Sequence, residues 1–242
     1  MDPVEAAMKS EEAIVGLPAL FMMDGKTYER GSQLGFDGLD FYVAGRGGAL
    51  GDVPADVVSA AFVFFNPGTV ARMWDNSEKV MDRPQAAREF AGCAASWAEE
   101  HLCDDLDYER LAELAGSVIR KTSPAGLTLF AGWAQVEEPR SSSKALALHR
   151  INVLRELRGA LHGAAVVSCG VDPHAAVMLR TPQMAAVFGW SEPHPAFEPQ
   201  RADWDRVQGA TNSSMALRLS VLSGAELSEF IELAKAAHAT RV

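Results

Sequence analysis

Cysteine is scarce in this sequence. Its three cysteines, Cys93, Cys103 and Cys169, form an odd count with no CxxC pair, which signals neither a disulfide framework nor a clustered zinc site. Each sits among Ala, Leu, Val or Ser and reads as a small buried apolar residue. Basic charge is short as well: 22 Lys and Arg against 32 Asp and Glu leave a net charge of −10. That balance favours solubility and repels phosphate backbones and anionic membrane surfaces unless a local basic patch reverses it. No window reaches the roughly 18 uncharged apolar residues of a transmembrane helix. The N-terminal MDPVEAAMKSEEAIVGLPALFMM starts acidic and is broken by charges, so it does not read as a signal peptide. The cytoplasm is the expected compartment, with no membrane partner.

Catalytic signatures are missing too. No HxxxH, HExxH or EF-hand pattern offers metal ligands at set spacing, and no GxSxG offers an acyl-transfer nucleophile. No metal is expected and no cofactor is indicated.

What is present is helix. At 242 residues and 48% apolar, the chain is long enough to bury a core. Alternating apolar runs are rare. AAFVFF (60–65) is the best strand candidate, but it continues the helix-like PADVVSAAF and reads as a buried helix end. Asn66-Pro67, Ser123-Pro124, Asp172-Pro173 and Thr181-Pro182 each place a capping side chain before a proline. The cap oxygen accepts from orphan N–H groups, and proline at the first helical position lacks a donor that would be unpaired anyway. Ser223 and Glu226 form a capping box ahead of a C-terminal helix (223–240). Helical spacing also runs through 83–102 and 107–122, with loops expected near 44–53, 135–143 and 190–200. The fold class is mainly α. A helical N-terminal region spans 1–140, and a long helix, a further helical segment and the C-terminal helix fill 141–242.

HRINVLRELRGALHG (149–163) concentrates the chemistry. At about 100° per residue, Val153, Leu154, Leu157 and Leu161 share one side, while Asn152, Arg155, Gly159 and His162 occupy the other, flanked by His149, Glu156 and Gly163. Arg155, Arg158 and His162 lie within two turns and can converge on one anion. Guanidinium forks match carboxylate and phosphate, and histidine is tuned most easily near neutral pH. The same pattern also describes a solvated helix face or an internal ion-pair network. In DFYVAGRGGALGD (40–52), Tyr42 and Arg46 lie four apart and can point from one helical face into a pocket. Its glycines fit neither GxGxxG nor GxxxxGK[ST], so no nucleotide motif is supported.

The segments GLDFYVAGRGGALGDVPADVVSAAFVFFNPGTVARMW (38–74), NVLRELRGALHGAAVVSCGVDPHAAVMLRT (152–181) and GWSE (189–192) together resemble a family of SalK-like actinobacterial proteins, known simply as a helix-turn-helix family. The resemblance implies a helical N-terminal region followed by a winged-helix-like segment, and no particular reaction. The family's Arg-Glu-x-Arg-Gly-x-x-His pattern falls on Arg155, Glu156, Arg158, Gly159 and His162. Leu157 stands where the family often has a further histidine, and Ala160 where it has an acid. In the family, GW followed by Ser or Thr opens what looks like a recognition helix. Here Pro193, Pro195 and Pro199 follow, and the segment downstream is mixed in charge. A reader of DNA needs Arg or Lys for phosphates and a continuous helix, so the winged-helix-like segment reads as degenerate and DNA as disfavoured.

Three functions are in play. The main expectation is a small-molecule-binding helical protein, with an enzyme of specialised metabolism as its catalytic form. Arg155, Arg158, Asn152, His149, Tyr42 and Arg46 would bind an anionic or polar ligand, Phe65 or Trp74 would supply aromatic walls, and His162 or Glu156 would move a proton. The alternatives are a winged-helix transcriptional regulator, and a non-catalytic homodimeric scaffold pairing Leu227, Phe230, Ile231 and Leu233 of the C-terminal helix.

Overall fold

The computed structural model describes residues 1–239; residues 240–242, the end of the expected C-terminal segment, lie outside the described residues. The N-terminal helices are α1 (Pro3–Lys9), α2 (Glu11–Met22), α3 (Gly25–Leu34), α4 (Asp40–Gly47), α5 (Ala55–Phe62) and α6 (Pro67–Glu78). They are followed by α7 (Arg83–His101), α8 (Tyr108–Lys121), α9 (Thr128–Trp133) and the 26-residue α10 (Ser143–Ser168). The chain closes with α11 (Pro173–Arg180), α12 (Arg201–Leu219) and α13 (Gly224–Ala239). No strand occurs among the described residues, so the protein is mainly α and no β wing stands among them.

Local chemistry explains the helix starts. Asn66 Oδ1 accepts from Thr69 N at 3.1 Å and Asp172 Oδ1 from Ala175 N at 2.9 Å, each just before a first-turn proline. The Ser223–Glu226 box closes reciprocally, with bonds of 2.8 and 3.3 Å. Thr181-Pro182 starts only a short 3₁₀ turn, Pro182–Met184. Ser123-Pro124 starts a turn instead of a helix, because Gly126 adopts φ +75° and Leu127 N donates back to Pro124 O at 2.9 Å.

α10 is the axis of the molecule. It packs against α2, α7, α8, α9 and α12. Its expected two-sided character gives way to burial nearly all round: His149, Asn152, Glu156 and Arg158 are enclosed along with Leu154, Leu157 and Leu161. The polar side of this helix is therefore not a solvated face. The glycine-rich stretch 44–53 is not an open loop either. Through Gly47 it is helical, and its glycines permit close packing: a Cβ at Gly48 would collide with the Arg83 carbonyl.

Candidate functional site

α4 and α10 meet through a buried ion pair. Arg46 Nε and Nη2 donate to the two oxygens of Glu156, each at 2.9 Å, and Arg155 Nη1 donates to Glu156 Oε1 at 2.6 Å. Glu156 is 1% exposed. Burial opposes its charge, but Arg46 and Arg155 outweigh burial and hold the carboxyl below its ordinary range. Arg46 is likewise buried against its charge, yet Glu156 and Tyr42 keep it firmly protonated. Its guanidinium also lies 4.4 Å from the Phe62 ring centroid. Both oxygens of Glu156 are committed to arginines, the arrangement of an anchor between α4 and α10.

One turn along α10, Arg158 reaches three other helices. Its Nη2 pairs with Glu11 Oε2 of α2 at 2.8 Å and donates to Asn212 Oδ1 of α12 at 2.9 Å, while Nη1 donates to Ala7 O of α1 at 3.4 Å. The other oxygen of Glu11 takes Arg180 Nη2 of α11 at 2.8 Å. His162 follows on the same face. Thr211 Oγ1 donates to Val207 O at 2.8 Å, so at 3.0 Å it accepts from His162 Nδ1–H and leaves Nε2 as an acceptor. Burial, then the charges of Arg158 and Arg180, push His162 down to about 4, so the ring is neutral at neutral pH.

The arginines, His162 and Glu11 border one cleft of about 440 Å³. Arg46, Arg155, Arg158, Arg180, His162 and Glu11 give it a charged end. Tyr28, Tyr42, Phe62, Phe65, Phe188, Met22 and Met184 give it an apolar body. Tyr42 stacks on Phe65, which in turn meets Phe188 at 4.4 Å between centroids. The far wall turns at Val63, whose φ of +36° is strained for a β-branched residue and ends α5 at Phe62. AAFVFF is thus a helix end followed by a tight turn.

The charges do not cancel. Four guanidinium groups face two carboxylates, Glu11 and Glu156, leaving two positive charges in surplus within a chain of net charge −10. Arg155 Nε is also buried with no hydrogen-bond partner. By contrast, a second hollow of about 340 Å³ is bordered by Lys26–Glu100 and Arg30–Glu89 pairs that neutralise each other.

Of the residues singled out in the sequence, Tyr42, Arg46, Arg155, Arg158 and His162 line the cleft, as does Phe65. His149, Asn152 and Trp74 do not. His149 is buried beside Trp133, and Asn152 is 1% exposed inside α10's packing. Trp74 donates from Nε1 to Val53 O and lies under Arg83. Sequence reasoning missed Glu11 and Arg180, which are 169 residues apart and share no local pattern. The scaffold surface expected on α13 is spent within the chain: Leu227, Phe230 and Ile231 are buried against its own helices.

The helix-turn-helix family model matches residues 7–232, and the chain belongs to that family. No match was found among curated proteins, and none among solved structures. Family membership overturns the reading of DNA as a disfavoured partner, because a helix-turn-helix family points toward DNA. Net charge averages over the whole surface, and the three prolines merely delay the next long helix to Arg201. No helix among the described residues is long and apolar enough to cross a membrane.

Proposed function

We propose that the protein is a ligand-binding member of the helix-turn-helix family whose central cleft receives a small amphipathic molecule with an anionic group. The observation that carries this reading is the surplus of two positive charges at one end of an otherwise aromatic and aliphatic cleft. In this reading Arg155, Arg158 and Arg180 orient the anion, Arg46 and Glu156 brace the wall, and the neutral His162 offers an acceptor nitrogen to the ligand. A volume of about 440 Å³ falls in the ordinary range for small-molecule sites, roughly 300–1,000 Å³. The test is native mass spectrometry of the purified protein beside Arg155→Met. A co-purified organic anion in the wild type that is lost in a folded variant supports the reading. The same adduct in both would move the ligand elsewhere.

DNA is the second partner, and family membership favours it. Fluorescence anisotropy with DNA at about 50 and 200 mM salt should show binding that weakens steeply with salt. Anisotropy that stays flat at both salts would remove DNA from the reading.

A further inference from the structure

The charged end of the cleft already holds a carboxylate, that of Glu11. Its two oxygens bridge Arg158 and Arg180, each at 2.8 Å, and its side chain is one-quarter exposed. Glu11 stands in the first turn of α2, at the edge of the cleft, with the apolar body opening beside it. We infer that Glu11 occupies the ligand's own seat and that the ligand is an amphipathic monocarboxylate, whose carboxylate replaces Glu11 on Arg158 and Arg180. This inference rests on the cleft being the binding site.

Three observations converge on a carboxylate. The two arginines present their Nη2 groups at a spacing that a single planar carboxylate spans, as Glu11 itself demonstrates. Arg158 keeps Asn212 and Ala7 as hydrogen-bond partners when Glu11 leaves, and the incoming carboxylate takes over as its counter-charge. Arg180 is about half exposed and can follow an incoming group. The apolar body, built from rings and methionines, then selects an acid with an aliphatic or aromatic tail over a small hydrophilic anion. An internal competitor has a consequence that a simple binding residue lacks: removing it tightens binding.

The test is calorimetric titration of decanoate and decanol into the wild type, Glu11→Gln, Arg180→Met and Gly159→Leu, each first checked for unchanged helicity. Decanoate should bind the wild type at least about tenfold tighter than decanol. Glu11→Gln should bind decanoate about tenfold tighter than the wild type, and Arg180→Met about tenfold weaker. Weaker or unchanged decanoate binding in Glu11→Gln overturns the inference, because Glu11 would then hold the arginines in place. Should Glu11→Gln not fold, Glu11→Asp, whose shorter side chain reaches the arginines less well, decides instead: tighter decanoate binding supports the inference and weaker or unchanged binding overturns it. Equal affinity for decanoate and decanol, lost in Gly159→Leu, removes the carboxylate while leaving the cleft as a site. No binding of either compound to wild type or Glu11→Gln overturns the inference and the cleft reading together.

Discussion

At Gly159 of α10 an added Cβ would meet nothing within 4 Å, because the residue lines the cleft. Stability and binding can therefore be separated there. Gly159→Ala should raise unfolding free energy by up to about 1 kcal/mol, the helix-propensity difference. The larger Gly159→Leu should fill the cleft and abolish ligand binding without loss of fold. Denaturant titration beside calorimetry checks both. Glu156 behaves in the opposite sense. Glu156→Gln leaves Arg46 buried without its counter-charge, and a loss of about 3–5 kcal/mol is expected by urea unfolding. The partly exposed Arg150–Glu138 pair serves as the control, where Glu138→Gln should cost no more than about 1 kcal/mol.

Two histidines on α10 set the acid limit of stability. Burial pushes His149 and His162 from the ordinary 6.5 down to about 4. The folded state thus binds these protons less readily than the unfolded chain. Their contribution is complete above about pH 6.5 and is lost as pH falls toward about 4, at up to about 1.4 kcal/mol per unit for each histidine. Urea unfolding at several pH values should show that slope. His162→Gln, which can still meet Thr211, should remove about half of it. A slope unchanged in the variant would assign the acid sensitivity to other groups.

At the scale of elements, α10 shows what a linear sequence can and cannot disclose. Its length, its leucine spacing and the convergence of Arg155, Arg158 and His162 follow from helical periodicity. The lateral position of Tyr42 and Arg46 on one face of α4 follows from their four-residue step. Periodicity does not reveal that α10 is enclosed on nearly every side, since a polar face looks the same whether it meets water or a buried counter-charge. The Arg46–Glu156 partnership spans 110 residues, and nothing local announces it. The glycines at the end of α4 and just beyond it misled for a related reason. Read as loop-formers, they act as small residues where elements touch, so Gly48→Ala should lower stability by about 1–3 kcal/mol as the methyl meets the Arg83 carbonyl. Differential scanning calorimetry would register the loss as a reduced Tm. The caps at Asn66 and Asp172 start helices, whereas Thr181-Pro182 starts only a 3₁₀ turn and Ser123-Pro124 fails where Gly126 turns the chain away.

Across the whole molecule, charge is segregated. A net charge of −10 coexists with a basic cleft, so total charge does not describe the local field there. Mainly helical architecture was readable from caps, spacing and the lack of alternation. The basin of rings that completes the cleft was not, because Tyr28, Tyr42, Phe62, Phe65 and Phe188 come from separate helices and turns that only tertiary packing unites. The central claim is that this cleft takes up small amphipathic anions. Its most direct test is titration of wild type and Gly159→Leu with 8-anilinonaphthalene-1-sulfonate, an aromatic sulfonate that fluoresces on leaving water. A saturable rise in the wild type that disappears in an equally stable Gly159→Leu is the expected result. Identical titrations of the two proteins would contradict it.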